Sequence, residues 1–119
     1  MRGSCHCGAV TLEVDQPPAE VTECNCSLCR RLGALFAYYP PEQFRILTGA
    51  DALTGYVQGD RTLSTHHCTI CGCTTHWEQL PGSEAFPGGA QPRVGVNARL
   101  LEGFDRDGVS IRKVDGASF

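Results

Sequence analysis

Residues 9–14, Ala-Val-Thr-Leu-Glu-Val, alternate apolar and polar positions with period two, the pattern of a strand with one face in the core and the other in water. Pro17-Pro18 closes the run, because proline cannot donate a ladder hydrogen bond. Short strand-like runs recur at 20–24, 34–39, 44–48, 53–57, 62–67, 74–78 and 93–97, and Pro40-Pro41, Gly49, Gly59-Asp60 and Pro81-Gly82 fall between them. Strands this short, with turn formers this frequent, predict a mainly β chain. Residues 27–32 suffice for one helical turn, with Ser27 as its cap and Gly33 as its stop. Segment 98–103 reads as a strand end or a short turn, and a last strand is expected over 109–114, after Asp107-Gly108. Gly, Pro, Ser and Ala dominate 82–92, where the most flexible loop is expected.

At 119 residues the chain fits one domain, 1–119, that buries roughly two thirds of its unfolded surface. A net charge of −3, with nine Arg and one Lys scattered along the sequence, leaves no basic footprint for nucleic acid or an anionic membrane surface. No apolar run approaches the length of a membrane span, and the opening Met-Arg-Gly-Ser-Cys-His-Cys-Gly contains no apolar stretch of secretory length. The expected location is therefore the cytoplasm. Cysteine changes the picture, with eight residues against one Met and one Trp. Disulfides rarely persist in a reducing cytosol, so closely spaced thiols there are expected to bind metal; in a secreted domain they would form bridges.

The eight fall into three clusters, Cys5-x-Cys7, Cys24-x-Cys26-x-x-Cys29 and Cys68-x-x-Cys71-x-Cys73. Gly8 follows the first, Ser27 lies inside the second and Gly72 inside the third, where a tight backbone turn can aim amides at thiolate sulfur. Structural zinc takes four protein ligands in a tetrahedron. Cys5 and Cys7 supply two, and Cys68 and Cys71 are the natural complement, a closed site pinning the first strand to the distant turn at Gly72. Cys24, Cys26 and Cys29 remain as three, and three protein ligands with an open position is the arrangement of catalytic zinc. The fourth place is open to water or a substrate thiol, or is closed by Cys73, His66, His67 or His76. Cys73 otherwise reads as a small buried apolar residue or a redox partner.

His66 and His67 are neighbours on a strand, so at most one faces the metal region; His6, between two ligands, is expected to face solvent. Trp77 and Phe36 read as core residues. Arg30-Arg31, directly after Cys29, could hold a substrate carboxylate, lower a thiol pKa or simply be solvated. A thioredoxin-type role for Cys26-x-x-Cys29 is disfavoured, since no βαβ pattern surrounds it. No glycine-rich phosphate loop, H-E-x-x-H or G-x-S-x-G element occurs.

Three stretches, Gly3-Ser4-Cys5-His6-Cys7-Gly8-Ala9-Val10, Cys24-Asn25-Cys26-Ser27-Leu28-Cys29-Arg30-Arg31 with Gly33-Ala34, and Cys68-Thr69-Ile70-Cys71-Gly72-Cys73, together with Val94 to Gly103, resemble the glutathione-dependent formaldehyde-activating enzyme family, which includes centromere protein V. The resemblance runs over nearly the whole chain in the correct order. It implies a β-tent type of fold, small antiparallel sheets stabilised by zinc, with Cys5, Cys7, Cys68 and Cys71 on the structural ion. It further implies that Cys24, Cys26 and Cys29 form the second zinc motif, which engages glutathione. The type activity is carbon-sulfur bond formation between formaldehyde and glutathione, giving S-(hydroxymethyl)glutathione, a lyase reaction. The expected function is thus a zinc-dependent carbon-sulfur lyase acting on a thiol adduct of a small aldehyde, with Cys24, Cys26 and Cys29 catalytic and Arg30 binding the thiol's carboxylate. The alternative is a zinc-stabilised binding module without catalysis. Small molecules, a thiol such as glutathione and a small aldehyde, are the expected partners, and the pattern specifies no oligomeric state.

Overall fold

The computed structural model describes residues 1–57, 62–80 and 92–118. Residues 82–91 of the expected loop lie outside this set. The fold is mainly β. Strands β1 (Arg2–Ser4), β2 (Thr11–Val14) and β5 (Phe44–Thr48) form a three-stranded antiparallel sheet in the order β1-β2-β5. The other strands are β3 (Glu20–Cys24), β4 (Phe36–Tyr39), β6 (Leu53–Val57), β7 (Leu63–Cys68), β8 (Thr74–Gln79), β9 (Val94–Asn97) and β10 (Ser110–Val114). They form one seven-stranded sheet in the order β10-β3-β4-β9-β8-β7-β6. Every pair is antiparallel except β10 with β3, which run parallel in the register Ser110↔Glu20 to Val114↔Cys24. The parallel pair brings the end of β10 alongside Cys24.

Period two in β2 resolves as expected, with Leu12 and Val14 buried and Thr11 and Glu13 half-buried. The buried pair joins Val21, Leu35, Ala37, Tyr39, Val94, Val96, Ala98 and Leu101 in the main core. Burying a Val or Leu side chain fully is worth about 1.5–3 kcal/mol relative to leaving it in water, so this face holds the two sheets together. All four residues of β9 are buried. Its Gly95 lies against the Trp77 indole so closely that a Cβ there would collide with the ring.

Two local features depart from the sequence reading. β1 carries no strand signal in Arg-Gly-Ser; its pairing is set by β2 and by Gly3, which bridges to Leu101 and whose absent Cβ would sit 2.5 Å from the Leu100 carbonyl oxygen. The single helical turn α1 (Cys29–Leu32) does end at Gly33, in the left-handed region at φ 68° with its amide donating to the Cys29 carbonyl. Its start is not capped by Ser27. Leu28 holds the cap position without a side-chain bond, and the Cys29 amide instead donates to Cys26 Sγ at 3.3 Å. A thiol has replaced the hydroxyl because the turn is built around sulfur. Segment 98–103 forms a short 3₁₀ turn, Ala98–Leu100, followed by the Leu101 bridge. No helix among the described residues is long and apolar enough to cross a membrane.

Candidate metal centres

All eight cysteines are free thiols. Cys5, just after β1, Cys7, Cys68 at the end of β7, and Cys71 place their sulfurs within 4.8 Å of one another. Two of the separations are 3.6 Å, Cys5 to Cys7, and 3.7 Å, Cys7 to Cys68. A tetrahedral ion with Zn–S bonds of about 2.3 Å requires sulfurs about 3.8 Å apart, and these two separations match that spacing. Two glycines make the turns possible. Gly8 (φ 83°) and Gly72 (φ 81°) occupy the left-handed region, and their amides donate to the carbonyls of Cys5 and Cys68 at 3.2 and 2.8 Å. Cys5 and Cys68 are buried against Val10, with Ile46, Ala52 and Leu53 packed around them.

The electrostatics of this cluster call for a cation. Amides of Cys7 and Cys73 donate to Cys71 and hold it down to about 5. Cys7 accepts from the Ala9 amide, which lowers its pKa, but desolvation and the Cys5, Cys68 and Cys71 sulfurs outweigh this and push it up to about 11. Once one thiol ionises its neighbours resist, and a divalent ion removes the conflict. Cys73 belongs here too, interacting with Cys71, Cys5 and the His6 amide. It is therefore not placed with the second cluster.

Cys24, Cys26 and Cys29 bring their sulfurs within 4.8 Å of one another. β3 delivers Cys24, the connecting turn Cys26 and the start of α1 Cys29. The Cys26 amide donates to Cys24 Sγ at 3.4 Å and the Cys29 amide to Cys26 Sγ at 3.3 Å. Burial opposes ionisation of Cys26, but the Cys29 amide and neighbouring donors hold it below its ordinary value. Burial pushes Cys29 up, reinforced by the charge on Cys26 and Cys24. These donors again suit a soft or borderline cation. Among the described residues no fourth Cys or His joins them: Cys73 lies at the other cluster, and His66 and His76 form a separate group with Glu78.

What packs against Cys24 and Cys26 arrives from the far end of the chain. Gly116 packs so tightly that a Cβ would lie 2.5 Å from Cys24 Sγ and 3.2 Å from Cys26 Cβ. The Asn25 side chain holds that segment in place, donating to Asp115 Oδ1 at 2.9 Å and accepting from the Ala117 amide at 3.0 Å. Two pockets open beside the cluster, both touching Cys24 and Cys29. One, of about 470 Å³, holds Arg30 with Arg99 and Lys113. The other, of about 430 Å³, is lined by Cys26, Phe36, Tyr38, Trp77, Arg93 and Arg112. The Arg93 guanidinium lies 4.2 Å from the Tyr38 ring centroid, a cation–π contact. Trp77 and Phe36, read from sequence as core, are buried and also form this wall. Sequence reasoning did not single out Tyr38, Arg93, Arg99, Arg112 or Gly116, which only the sheet order brings to the cysteines.

Comparison with known proteins identifies the family. The family model for glutathione-dependent formaldehyde-activating enzymes matches residues 1–100. A Halomonas elongata protein named "Putative glutathione-dependent formaldehyde-activating enzyme" is 35% identical over 80 residues, 66% of this chain and 47% of that protein; the chain thus spans about half the length of this curated relative. The crystal structure of a Rhodobacter sphaeroides protein, a structural-genomics target, superposes with a TM-score of 0.79 at 36% identity, over 96% of this chain and 100% of that one. The chain belongs to the glutathione-dependent formaldehyde-activating enzyme family.

Proposed function

We propose that the protein is a zinc-dependent carbon-sulfur lyase that joins a small thiol, glutathione or a close relative, to formaldehyde and catalyses the reverse cleavage. One observation carries the reading: three thiols converge beside two pockets with no fourth Cys or His ligand among the described residues. Cys24, Cys26 and Cys29 would hold the ion. Zinc there would keep a fourth, substrate sulfur as thiolate near neutral pH, where a free thiol of pKa about 8.5 is mostly protonated.

The chain's own groups supply position. Arg30, in the pocket shared with Arg99 and Lys113 beside Cys29, is suited to a carboxylate of the thiol substrate through a bidentate contact. The Phe36, Tyr38 and Trp77 wall limits water on the other side. The reaction balances without an oxidant: the substrate sulfur attacks the formaldehyde carbon, the carbonyl π electrons move to oxygen, and that oxygen takes up the proton the thiol released. The eight free thiols suit a reducing compartment such as the cytoplasm. The two ligands proposed are small molecules.

The test is formaldehyde consumption with millimolar glutathione, compared with the uncatalysed rate, for the zinc-loaded protein and for Arg30→Gln. Consumption above background, with KM for the thiol raised about tenfold by Arg30→Gln and kcat less affected, is expected for loss of a ground-state carboxylate contact. A rate equal to background would leave the zinc-stabilised binding module as the reading.

A further inference from the structure

A third group of metal-competent side chains lies outside both thiol clusters. His66 on β7 and His76 on β8 are direct cross-strand partners, and Glu78 follows His76 by two residues on the same face. The imidazoles stack with centroids 4.7 Å apart and planes 7° from parallel. Both present Nε2 to one carboxylate: His76 Nε2 lies 3.0 Å from Glu78 Oε1 and His66 Nε2 3.8 Å from Oε2.

Hydrogen bonding at Thr75 bears on what lies between them. Its hydroxyl donates to the His66 carbonyl at 3.3 Å and lies 2.8 Å from His76 Nδ1. When its one proton goes to the carbonyl, the hydroxyl accepts from Nδ1–H and leaves Nε2 free to ligate. His76 Nε2 then faces the Glu78 carboxylate at 3.0 Å, a position that either a proton or a metal ion can fill. Ordinary metal–ligand bonds of about 2.0–2.2 Å place neighbouring N and O donors about 3.3 Å apart in a tetrahedron, and the two observed separations bracket that value. Thr75 also serves as the outer partner that orients a ligating imidazole.

The surroundings fit the same reading. His76 is 1% exposed, whereas the Glu78 side chain is 51% exposed, so the group has a fixed floor and an open side. His66 rests over Gly55 of β6, where a Cβ would approach its ring to 3.2 Å, and Phe44 packs against His76 with ring centroids 4.8 Å apart. We propose that His66, His76 and Glu78 form a third metal site, for a divalent first-row transition ion held by two imidazole nitrogens and one carboxylate, with the remaining positions open to solvent. Imidazole with carboxylate suits zinc, cobalt or nickel, in contrast to the all-sulfur clusters. An ion there would also clamp β7 to β8.

Cobalt is the probe. Protein carrying two equivalents of zinc is titrated with Co²⁺ and followed by d–d absorption and by metal content after gel filtration. One further equivalent should bind, without the sulfur-to-cobalt charge-transfer band of a thiolate site, and His66→Gln and Glu78→Gln should each weaken it at least tenfold. Both side chains reach solvent, and the two variants check each other should one disturb the sheet. A proton in place of the metal predicts no uptake at millimolar Co²⁺, which overturns the proposal. Uptake with the thiolate band, or uptake unchanged in both variants, overturns it equally.

Discussion

The four-thiol and three-thiol clusters use the same chemistry in opposite surroundings. The first draws its ligands from two segments 61 residues apart, Cys7 and Cys68, and sinks Cys5 (2% exposed) and Cys68 (0%) into an apolar shell while Cys7 stays exposed and Cys71 half-buried. The second takes all three from six consecutive residues, leaves each half-buried and opens onto two pockets. An ion that closes a long loop removes chain entropy that local secondary structure cannot. An ion held by a local turn contributes little of that kind and stays within reach of solutes. On the proposed function, span and burial, rather than ligand type, separate a staple from a reactive centre.

The largest expected effect therefore falls on the first cluster. Metal binding in small zinc domains is worth about 10–16 kcal/mol, as much as the ~5–15 kcal/mol total stability of a typical domain. Cys68→Ser should leave the chain unfolded, seen as loss of the far-ultraviolet β signal and red-shifted emission from Trp77. Removing metal with a strong chelator should do the same to the unaltered protein. A Cys68→Ser protein that melts at the original temperature would erase the distinction between the two clusters.

Cys26→Ser should act differently. A weakened ion in the second cluster loosens only the turn around α1, so a loss of about 1–3 kcal/mol is expected, within the range of ordinary substitutions. Glutathione-dependent formaldehyde turnover should fall by about 100-fold or more, since the ligand set proposed to activate the substrate sulfur is broken. Thermal melting and turnover measured on one preparation decide the matter. Unfolding as complete as that of Cys68→Ser would make both clusters staples.

Much of this contrast is legible in the cysteine spacings, because ligand count and intervening glycines are local properties. The strands at β2, β5 and β6 are equally legible, being fixed by alternation and by prolines and glycines at their ends. Other features are not local. β1 exists because β2 offers an edge and Gly3 fits against Leu100, neither of which shows in Arg-Gly-Ser. Cys73 reads as a fourth ligand of the second cluster, a small apolar residue or a redox partner until the turn at Gly72 places it beside Cys71. Arg93 and Arg112 reach the second pocket only because β9 and β10 take their places in the seven-stranded sheet. The parallel pairing of β10 with β3 is the least visible of these, and it delivers Gly116 to the thiols.

That delivery gives the finest test of the comparison. Gly116 is not among the glycines with positive φ, so alanine is permitted by the backbone and acts only through its added methyl group. The methyl would lie 2.5 Å from Cys24 Sγ and 3.2 Å from Cys26 Cβ, contacts that must relax by moving either the sulfurs or the 115–118 turn. Overpacking of this size costs about 1–3 kcal/mol. If the turn yields, Asn25 loses its bonds to Asp115 and Ala117, and the melting temperature falls with metal affinity intact. If the sulfurs yield, affinity at the second cluster drops about tenfold. A centre built on a local turn, unlike one buried between two segments, should yield at the sulfurs, so zinc competition titrations of Gly116→Ala should show one weakened equivalent and one unchanged. Equal weakening of both would mean that the clusters are mechanically coupled through β3 and the core, and that the separation of staple from reactive centre is one of exposure alone.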